Sequence, residues 1–146
     1  MDLGIKGKVA LVFGGSKGIG LGCAHEFLRE GCPTVIAART QSTIDLAVEE
    51  LKAAGGAVAG ISADCTTKEG IGKAVKAAKD SFGAPDILVF NVDSGPKGAF
   101  LEVDDETFAA ANNNNVMAFR WAVQEVFPHM QEQKWGRILT IGTNSV

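Results

Sequence analysis

Three glycines lie between an apolar run and a helical pattern near the start of the chain. Gly14, Gly18 and Gly20 follow the apolar run from Val9 to Phe13 and precede the helical pattern. Backbone N–H groups at a helix start lack partners and carry partial positive charge, so they accept a phosphate. Glycine lets the backbone approach that ligand and lets the helix approach the strand. The spacing therefore predicts a site for the pyrophosphate of a dinucleotide, a ligand that commonly serves redox chemistry.

Two cations accompany the glycine-rich turn. Lys17 lies within it, and Arg39 lies nineteen residues after Gly20, at the end of the second apolar run. An acidic residue near that position would bind the ribose 2′-hydroxyl of NAD, whereas an arginine suits the 2′-phosphate of NADP. No carboxylate follows Arg39 until Asp45. Two cations without a competing acid favour a phosphate, so the sequence predicts NADP as the coenzyme.

Short apolar runs alternate with helical segments along the chain. Continuous apolar runs, such as residues 35–37 and 87–90, are typical of parallel strands that are covered on both faces. The alternation implies βαβ units and an α/β fold with a doubly wound parallel sheet. We expect five strands and four helices: strands over 8–13, 33–38, 57–62, 86–91 and 137–142, and helices over 18–30, 41–54, 67–82 and 104–133.

Local signals predict where these helices begin, end and bend. Ser42 and Thr66, each followed three residues later by an acid, predict the starts of the second and third helices. Glycines are placed to end them at positions 55, 56 and 83. The fourth predicted helix contains asparagines, which are poor helix formers, at all of residues 112–115. Two interpretations stay open: a frayed or bent turn without a role, or a bend that frees main-chain carbonyls toward a site.

Composition excludes several classes of protein. The 146 residues suffice for one domain, and a net charge of −3 offers no basic surface for nucleic acid or membrane. No apolar stretch approaches the ~20 residues needed to span a bilayer. The first residues lack the basic start and apolar core of a signal peptide, so we expect a cytoplasmic protein. The three cysteines lack metal-ligand spacing, which predicts reduced thiols and no metal site.

These features resemble the N-terminal part of the short-chain dehydrogenase/reductase family, and the similarity runs over essentially all 146 residues. Members carry Thr-Gly-x-x-x-Gly-Ile-Gly, which residues 13–20 match except that Phe13 replaces the threonine. In that family a basic residue at the position of Lys17 goes with a preference for NADP, and an aspartate that matches Asp64 binds the adenine. The resemblance implies a Rossmann-like NADP-binding domain over residues 1–146.

The resemblance also assigns roles to later residues. Asn91 falls in the family's Asn-Asn-Ala-Gly motif, which lies along the adenine ribose. Asn115 matches a helix asparagine whose local bend holds a water near the catalytic lysine, which favours the functional interpretation of the asparagine run. Residues 136–142 match the strand that leads to the catalytic serine. That position falls on Thr143, whose hydroxyl would orient a substrate carbonyl, and Ser145 is a less well-aligned substitute.

Departures from the family pattern limit what the resemblance implies. Only Asn91 of the Asn-Asn-Ala-Gly motif is kept, and Asp93 puts a carboxylate near where the nicotinamide side begins. The family's Tyr-x-x-x-Lys pair, in which the tyrosine is the proton donor, would lie beyond Val146. The chain contains no tyrosine. We therefore expect a chain truncated after the fifth strand, without the proton donor and without the segment that selects the substrate.

Two functions from different classes follow. The first is an NADP-dependent oxidoreductase that moves a hydride between NADPH and a ketone or secondary alcohol, as a homo-oligomer in its full-length form. The second is an NADP-binding module without catalysis. A third, transfer from S-adenosylmethionine, is disfavoured because Arg39 replaces the acid that such sites usually have. The predicted catalytic residues are Thr143 and Asn115, and the predicted cofactor-binding residues are Gly14, Ser16, Lys17, Gly18, Ile19, Gly20, Arg39, Thr40, Asp64, Cys65, Asn91 and Val92.

Overall fold

The computed structural model describes residues 2–92 and 100–142 of the chain. Within these residues, five parallel strands form one sheet with helices on both faces, which confirms the predicted α/β, Rossmann-like fold. The strands are β1 Ala10–Phe13, β2 Thr34–Ala38, β3 Val58–Ser62, β4 Ile87–Phe90 and β5 Arg137–Thr140. The α-helices are α1 Gly18–Arg29, α2 Gln41–Ala53, α3 Lys68–Ser81, α4 Asp105–Asn112 and α5 Ala118–Glu132.

The order of the strands places the functional region. The sheet reads β3-β2-β1-β4-β5, so the chain moves outward from β1 to β3 and then crosses back to β4. At the carboxyl ends, Phe13 of β1 is in register with Ala37 of β2 and with Phe90 of β4. The direction of winding reverses between β1 and β4. Open α/β sheets bind ligands in the crevice at such a reversal, outside the carboxyl ends of the strands.

Alternate residues of the central strands supply the core on each side of the sheet. Leu11 and Phe13 pack on the side of α3 and α5, whereas Val12 packs on the side of α1 and α2. Every residue of β1 and β4 is buried. Burial on both faces explains why these strands are continuous apolar runs rather than alternating ones. None of the helices in the described part of the chain has the length and hydropathy of a membrane span.

The predicted spans 41–54 and 67–82 match α2 and α3 to within one residue at each end, but the two predicted capping residues are wrong. Helix α2 follows Thr40, which makes no side-chain capping bond, so Ser42 lies inside the first turn rather than at its start. Helix α3 is capped by Thr67, whose hydroxyl oxygen accepts a bond from the Gly70 amide at 3.0 Å. Thr66 is unavailable as the cap because its hydroxyl and its amide both donate to the Asp64 carboxylate. The predicted glycine ends are confirmed, with positive φ at positions 55 and 83.

The predicted helix over 104–133 is not continuous. It divides into α4 and α5, which are joined by a π-helical turn over Asn113–Met117. The Asn115 side-chain amide donates to the Ala111 carbonyl at 2.9 Å, within this same stretch. A side chain that bonds to the backbone in this way competes with the regular helical pattern. The asparagine run therefore coincides with a local departure from the α-helix, which both interpretations allow.

A buried carboxylate joins the amino ends of the strands, opposite the crevice. The side chain of Asp86 accepts bonds from the Val9 amide at 2.9 Å and from Gln133, and His129 lies 3.1 Å away. Burial raises the pKa of Asp86, but these hydrogen bonds and the nearby charge of Lys8 outweigh it, so the pKa falls below its ordinary value of 3.8. The ionised form is therefore the one that the folded state stabilises.

The substitution Asp86→Asn tests this network. A carboxyl whose pKa is lower in the folded state adds stability above its unfolded pKa, and this stability is lost as the pH falls through the folded pKa. We expect Asp86→Asn to lower the free energy of unfolding at pH 7 by about 2–3 kcal/mol. We also expect it to flatten the decline of stability below about pH 4. Urea unfolding at several pH values measures both effects.

The matched control is Asp80→Asn. Asp80 carries the same charge but forms an exposed pair with Lys76 on α3, and such pairs contribute little. Its unfolding free energy is expected to stay close to that of the unchanged protein. Equal losses in the two variants would contradict a structural role for the carboxylate at the sheet end.

Candidate coenzyme-binding site

The glycine-rich turn is built by close approach of backbone to backbone. Gly14 has φ +68°, and a Cβ added there would lie 1.9 Å from the Asn91 carbonyl oxygen. A Cβ on Gly20 would lie 2.2 Å from the Gly14 carbonyl oxygen. The Gly14 amide donates to the Ala37 carbonyl at 2.8 Å. The turn thus lies against both neighbouring strands, and any side chain at positions 14 or 20 would displace it.

The start of α1 is open toward a ligand. Lys17 occupies the capping position in an extended conformation without a side-chain capping bond, and the first turn contains no acid. Gly18 has φ +56°, and nothing lies within 4 Å of where its Cβ would be. Helix N-termini that lack a capping side chain bind anions through their N–H groups. The turn and the helix start therefore fit the pyrophosphate of a dinucleotide.

Three aromatic rings pack against one another next to the glycine-rich turn. The ring of Phe13 meets that of Phe90 edge to face, with centroids 5.8 Å apart, and Phe90 meets Phe119 in the same way at 5.5 Å. The side-chain amide of Asn91 also reaches the Gly14 carbonyl oxygen at 3.4 Å. Packing of Phe13 therefore connects β1 to β4. The family that this sequence resembles has a threonine at the position of Phe13.

The turn opens into a cleft of about 170 Å³ at the carboxyl ends of β1, β2, β3 and β4. Many of the predicted cofactor-binding residues meet there. The residues that line it are Gly14, Ser16, Lys17, Ala38, Arg39, Thr40, Thr43, Asp64, Cys65, Thr66, Asn91 and Val92. Gly18, Ile19 and Gly20 do not line the cleft but form the first turn of α1 beside it, with the Ile19 side chain 62% exposed.

One sequence-based assumption about charge is wrong. The sequence places no carboxylate close behind Arg39, but the fold brings Asp64 into the same cleft. The charge of Arg39 contributes to lowering the pKa of Asp64. Within the described residues, however, no carboxylate lies within 4.0 Å of the guanidinium group. Arg39 is thus exposed beside Asp64 without forming an ion pair with it.

Hydrogen bonds keep the Asp64 carboxyl ionised. The Thr66 hydroxyl donates to it at 2.7 Å and the Thr66 amide at 3.0 Å. These bonds are the main reason that the pKa of Asp64 lies below its ordinary value. The neighbouring Cys65 thiol is buried, and burial raises its pKa to about 12. The cleft therefore presents an ionised carboxylate and an unreactive, protonated thiol.

Of the two predicted catalytic residues, only Asn115 belongs to the described part of the chain. Asn115 lies in the π-helical turn and is not among the residues that line the cleft. Thr143 and its substitute Ser145 lie outside the described residues, as does Asp93. The roles of Thr143, Ser145 and Asp93 therefore stay predictions.

Comparison with known proteins gives the family. The chain matches the short chain dehydrogenase family over residues 8–145. It belongs to that family.

Two curated relatives are similar over nearly the whole chain. The 2,3-dihydroxy-2,3-dihydro-p-cumate dehydrogenase of Pseudomonas putida is 34% identical, over 99% of this chain and 56% of that protein. Dehydrogenase/reductase SDR family member 4 of Caenorhabditis elegans is 37% identical, over 92% of this chain and 52% of that protein. The chain thus spans about half the length of the curated relatives that it matches.

A solved relative shares the fold. L-sorbose reductase of Gluconobacter frateurii, in complex with NADPH and L-sorbose, is 35% identical with a TM-score of 0.87. The similarity covers 96% of this chain and 54% of that one. The described part of this short-chain dehydrogenase therefore has the fold of a relative that holds a nicotinamide coenzyme.

Sequence reasoning missed three residues that line the cleft: Ala38, Thr43 and Thr66. Thr66 was assigned to a helix cap, although its hydrogen-bonding groups serve Asp64. Thr43 lies one helical turn beyond Arg39 and Thr40, and its hydroxyl contacts Ser16 across the cleft wall at 3.4 Å. A polar residue in the first turn of a helix that follows a strand end was the available signal.

The substitution Gly14→Ala tests the close approach at the turn. A Cβ there meets the Asn91 backbone, and the left-handed conformation adds its own strain, so we expect a loss of about 3 kcal/mol or more in unfolding free energy. Gly22→Ala is the matched control, because Gly22 lies within α1 and a Cβ there meets nothing within 4 Å. It should gain about 0.5–1 kcal/mol. Urea unfolding of both variants decides; a Gly14→Ala protein as stable as Gly22→Ala contradicts the packing.

Proposed function

We propose that this short-chain dehydrogenase binds NADP in the cleft and forms the coenzyme-binding part of an oxidoreductase. The reaction is hydride transfer between NADPH and a ketone or secondary alcohol. The observation that carries the proposal is that Lys17 and Arg39 line one cleft beside the open start of α1. Two cations with neighbouring hydroxyls are suited to a phosphate that NADP has and NAD lacks.

Each part of the coenzyme has residues suited to hold it. The turn from Gly14 to Gly20 receives the pyrophosphate through backbone N–H groups. Lys17 and Arg39 bind the 2′-phosphate, with Ser16 and Thr40 as hydroxyl partners. The remaining predicted residues serve the adenosine: the ionised Asp64 accepts a bond from the adenine, and the ribose lies along Cys65, Asn91 and Val92.

The chemistry of the reacting end is divided between coenzyme and protein. When bound, NADPH supplies the hydride. Thr143 orients the substrate carbonyl through its hydroxyl group, and Asn115 supports a water in the proton path. The proton donor is not assigned, because the chain contains no tyrosine. The complete reaction therefore needs a proton donor, and no residue of this sequence matches the family's tyrosine.

A binding module without catalysis is the second candidate function. The observation that favours it is the same lack of tyrosine. Both candidates require the coenzyme cleft, so they differ only in turnover. The relatives are named for dehydrogenase and reductase activities, which supports the oxidoreductase for the full-length protein.

We propose that the full-length protein is a homo-oligomer, and exposed apolar side chains support its self-association. We also propose that it is located in the cytoplasm. Phe108 of α4, Val116 of the π-helical turn and Phe127 of α5 are 62%, 56% and 49% exposed. Apolar surface of this kind is typical of contact sites between proteins.

The substitution Arg39→Asp tests the coenzyme preference. We expect the unchanged chain to bind NADPH more tightly than NADH. In the variant, NADPH affinity should fall about tenfold or more, because a charge-assisted bond is lost and a carboxylate repels the phosphate. NADH affinity should be unchanged or increased. Isothermal titration calorimetry with each coenzyme gives the dissociation constants.

Arg29→Asp is the control for net charge. Arg29 lies at the far end of α1, where it pairs with Glu26, and its substitution changes the total charge by the same amount. Both dissociation constants should stay as in the unchanged chain. Equal or tighter binding of NADH by the unchanged chain, or no effect of Arg39→Asp, would refute the NADP assignment.

The purified 146-residue chain is expected to bind NADPH without reducing carbonyl compounds. The physical reason is that no residue of the chain corresponds to the proton donor of the family. Absorbance of NADPH followed over time with a panel of ketones measures turnover, and calorimetry on the same sample shows that the coenzyme is bound. Consumption of NADPH that depends on the ketone would overturn this expectation.

A further inference from the structure

Thr43 connects two parts of the cleft wall that carry different functional groups. It lies in the first turn of α2 and is partly buried. Its hydroxyl donates to the Thr40 carbonyl at 2.9 Å and lies 3.4 Å from the Ser16 hydroxyl oxygen. Ser16 precedes Lys17 in the glycine-rich turn, and Thr40 follows Arg39 at the end of β2. One hydroxyl group thus joins the two segments that carry the cations.

The geometry of this contact fixes the position of the Thr43 oxygen. A hydroxyl has a single hydrogen, and the Thr40 carbonyl at 2.9 Å is the nearer of its two possible acceptors, so donation to that carbonyl is favoured. That bond holds the side chain in one rotamer, with its oxygen toward Ser16. The oxygen retains lone pairs that can serve as an acceptor for a neighbouring hydroxyl. Thr43 therefore orients the Ser16 hydroxyl while its own hydroxyl stays bonded to the Thr40 carbonyl.

We infer that Thr43 is a positioning residue for coenzyme specificity, which it determines by holding Ser16 and the adjacent Lys17 at a fixed distance from Arg39. The inference rests on the proposed binding of NADP. A phosphate group has three terminal oxygens and is bound best when several donors converge on it. The contact between Thr43 and Ser16 links the turn to the strand end, and the donors of both segments line one cleft.

Selectivity between the two coenzymes follows from the one group in which they differ. NADH and NADPH have the same pyrophosphate, adenine and nicotinamide and differ only in the 2′-phosphate. A contact that positions donors for that phosphate contributes to NADPH binding alone. A contact that only stabilises the start of α2, which lacks a side-chain capping bond, would affect both coenzymes alike. The ratio of the two affinities therefore separates a specificity role from a structural one.

The test uses Thr43→Val, which keeps the shape of the side chain and removes the hydroxyl, and Thr43→Ser, which keeps the hydroxyl. Calorimetry with the full chain measures binding of NADPH and NADH, and of 2′,5′-ADP and 5′-AMP as probes of the phosphate alone. We expect Thr43→Val to weaken NADPH and 2′,5′-ADP about three- to tenfold, the change expected for one hydrogen bond. NADH and 5′-AMP should be unaffected. Thr43→Ser should restore the affinity of the unchanged chain.

Thr43→Ala, which also removes the hydroxyl, provides a second route to the same answer, should Thr43→Val fail to fold as judged by circular dichroism. Ser16→Ala removes the other partner of the contact together with a hydroxyl proposed to bind the phosphate. When Ser16→Ala is combined with the Thr43 variant that folds, the Thr43 substitution should cause no further loss of NADPH affinity, because its contact is already broken. Independent, additive losses would contradict the coupling of Thr43 to Ser16.

The outcomes distinguish this inference from the proposal on which it rests. If the unchanged chain prefers NADPH and Thr43→Val keeps the same ratio of affinities, only the role of Thr43 is overturned. The same holds if both coenzymes are weakened equally, since that result indicates a structural role. If the unchanged chain shows no preference for NADPH or for 2′,5′-ADP, the NADP assignment fails and the inference fails with it.

Discussion

The site depends on one close approach, that of the Gly14 backbone to the Asn91 backbone at the carboxyl ends of β1 and β4. A Cβ at position 14 would lie 1.9 Å from the Asn91 carbonyl oxygen, so the two strands can lie side by side at this point only if the residue is glycine. The same residue has φ +68°, which glycine adopts without strain. The turn and the first residues of α1 both depend on this contact, since a Cβ on Gly20 would in turn meet the Gly14 carbonyl oxygen at 2.2 Å.

Aromatic packing below the turn supplies rigidity that hydrogen bonding alone does not. Phe13 and Phe90 end adjacent parallel strands in the same register, which places their rings edge to face. Phe119 extends the contact to α5, so the turn is connected to the helix that covers this side of the sheet. An apolar ring in place of a hydroxyl is tolerated here because the backbone bond from Gly14 to Ala37 holds the turn independently.

Prediction from the sequence succeeded where short-range rules decide and failed where the fold brings distant groups together. Glycine spacing indicated the glycine-rich turn, and continuous apolar runs indicated the parallel sheet, since these features follow from local backbone sterics and burial. The cap at Thr66 failed because Asp64, two residues earlier, binds that side chain more favourably. The meeting of Asp64 with Arg39, and of Thr43 with Ser16, depends on the positions of separate strand ends and could not be read from spacing.

The proximity of Asp64 to Arg39 bears on how one cleft can favour a phosphate while containing a carboxylate. The carboxylate is held by two hydrogen bonds from Thr66 and does not form an ion pair with the guanidinium. Even when it forms, an exposed ion pair between a carboxylate and a guanidinium contributes only about 0–1 kcal/mol. A phosphate that accepts charge-assisted bonds from the guanidinium gains roughly 1.5–3 kcal/mol for each. The 2′-phosphate of the proposed coenzyme would therefore compete successfully for Arg39, which forms no ion pair with the fixed carboxylate.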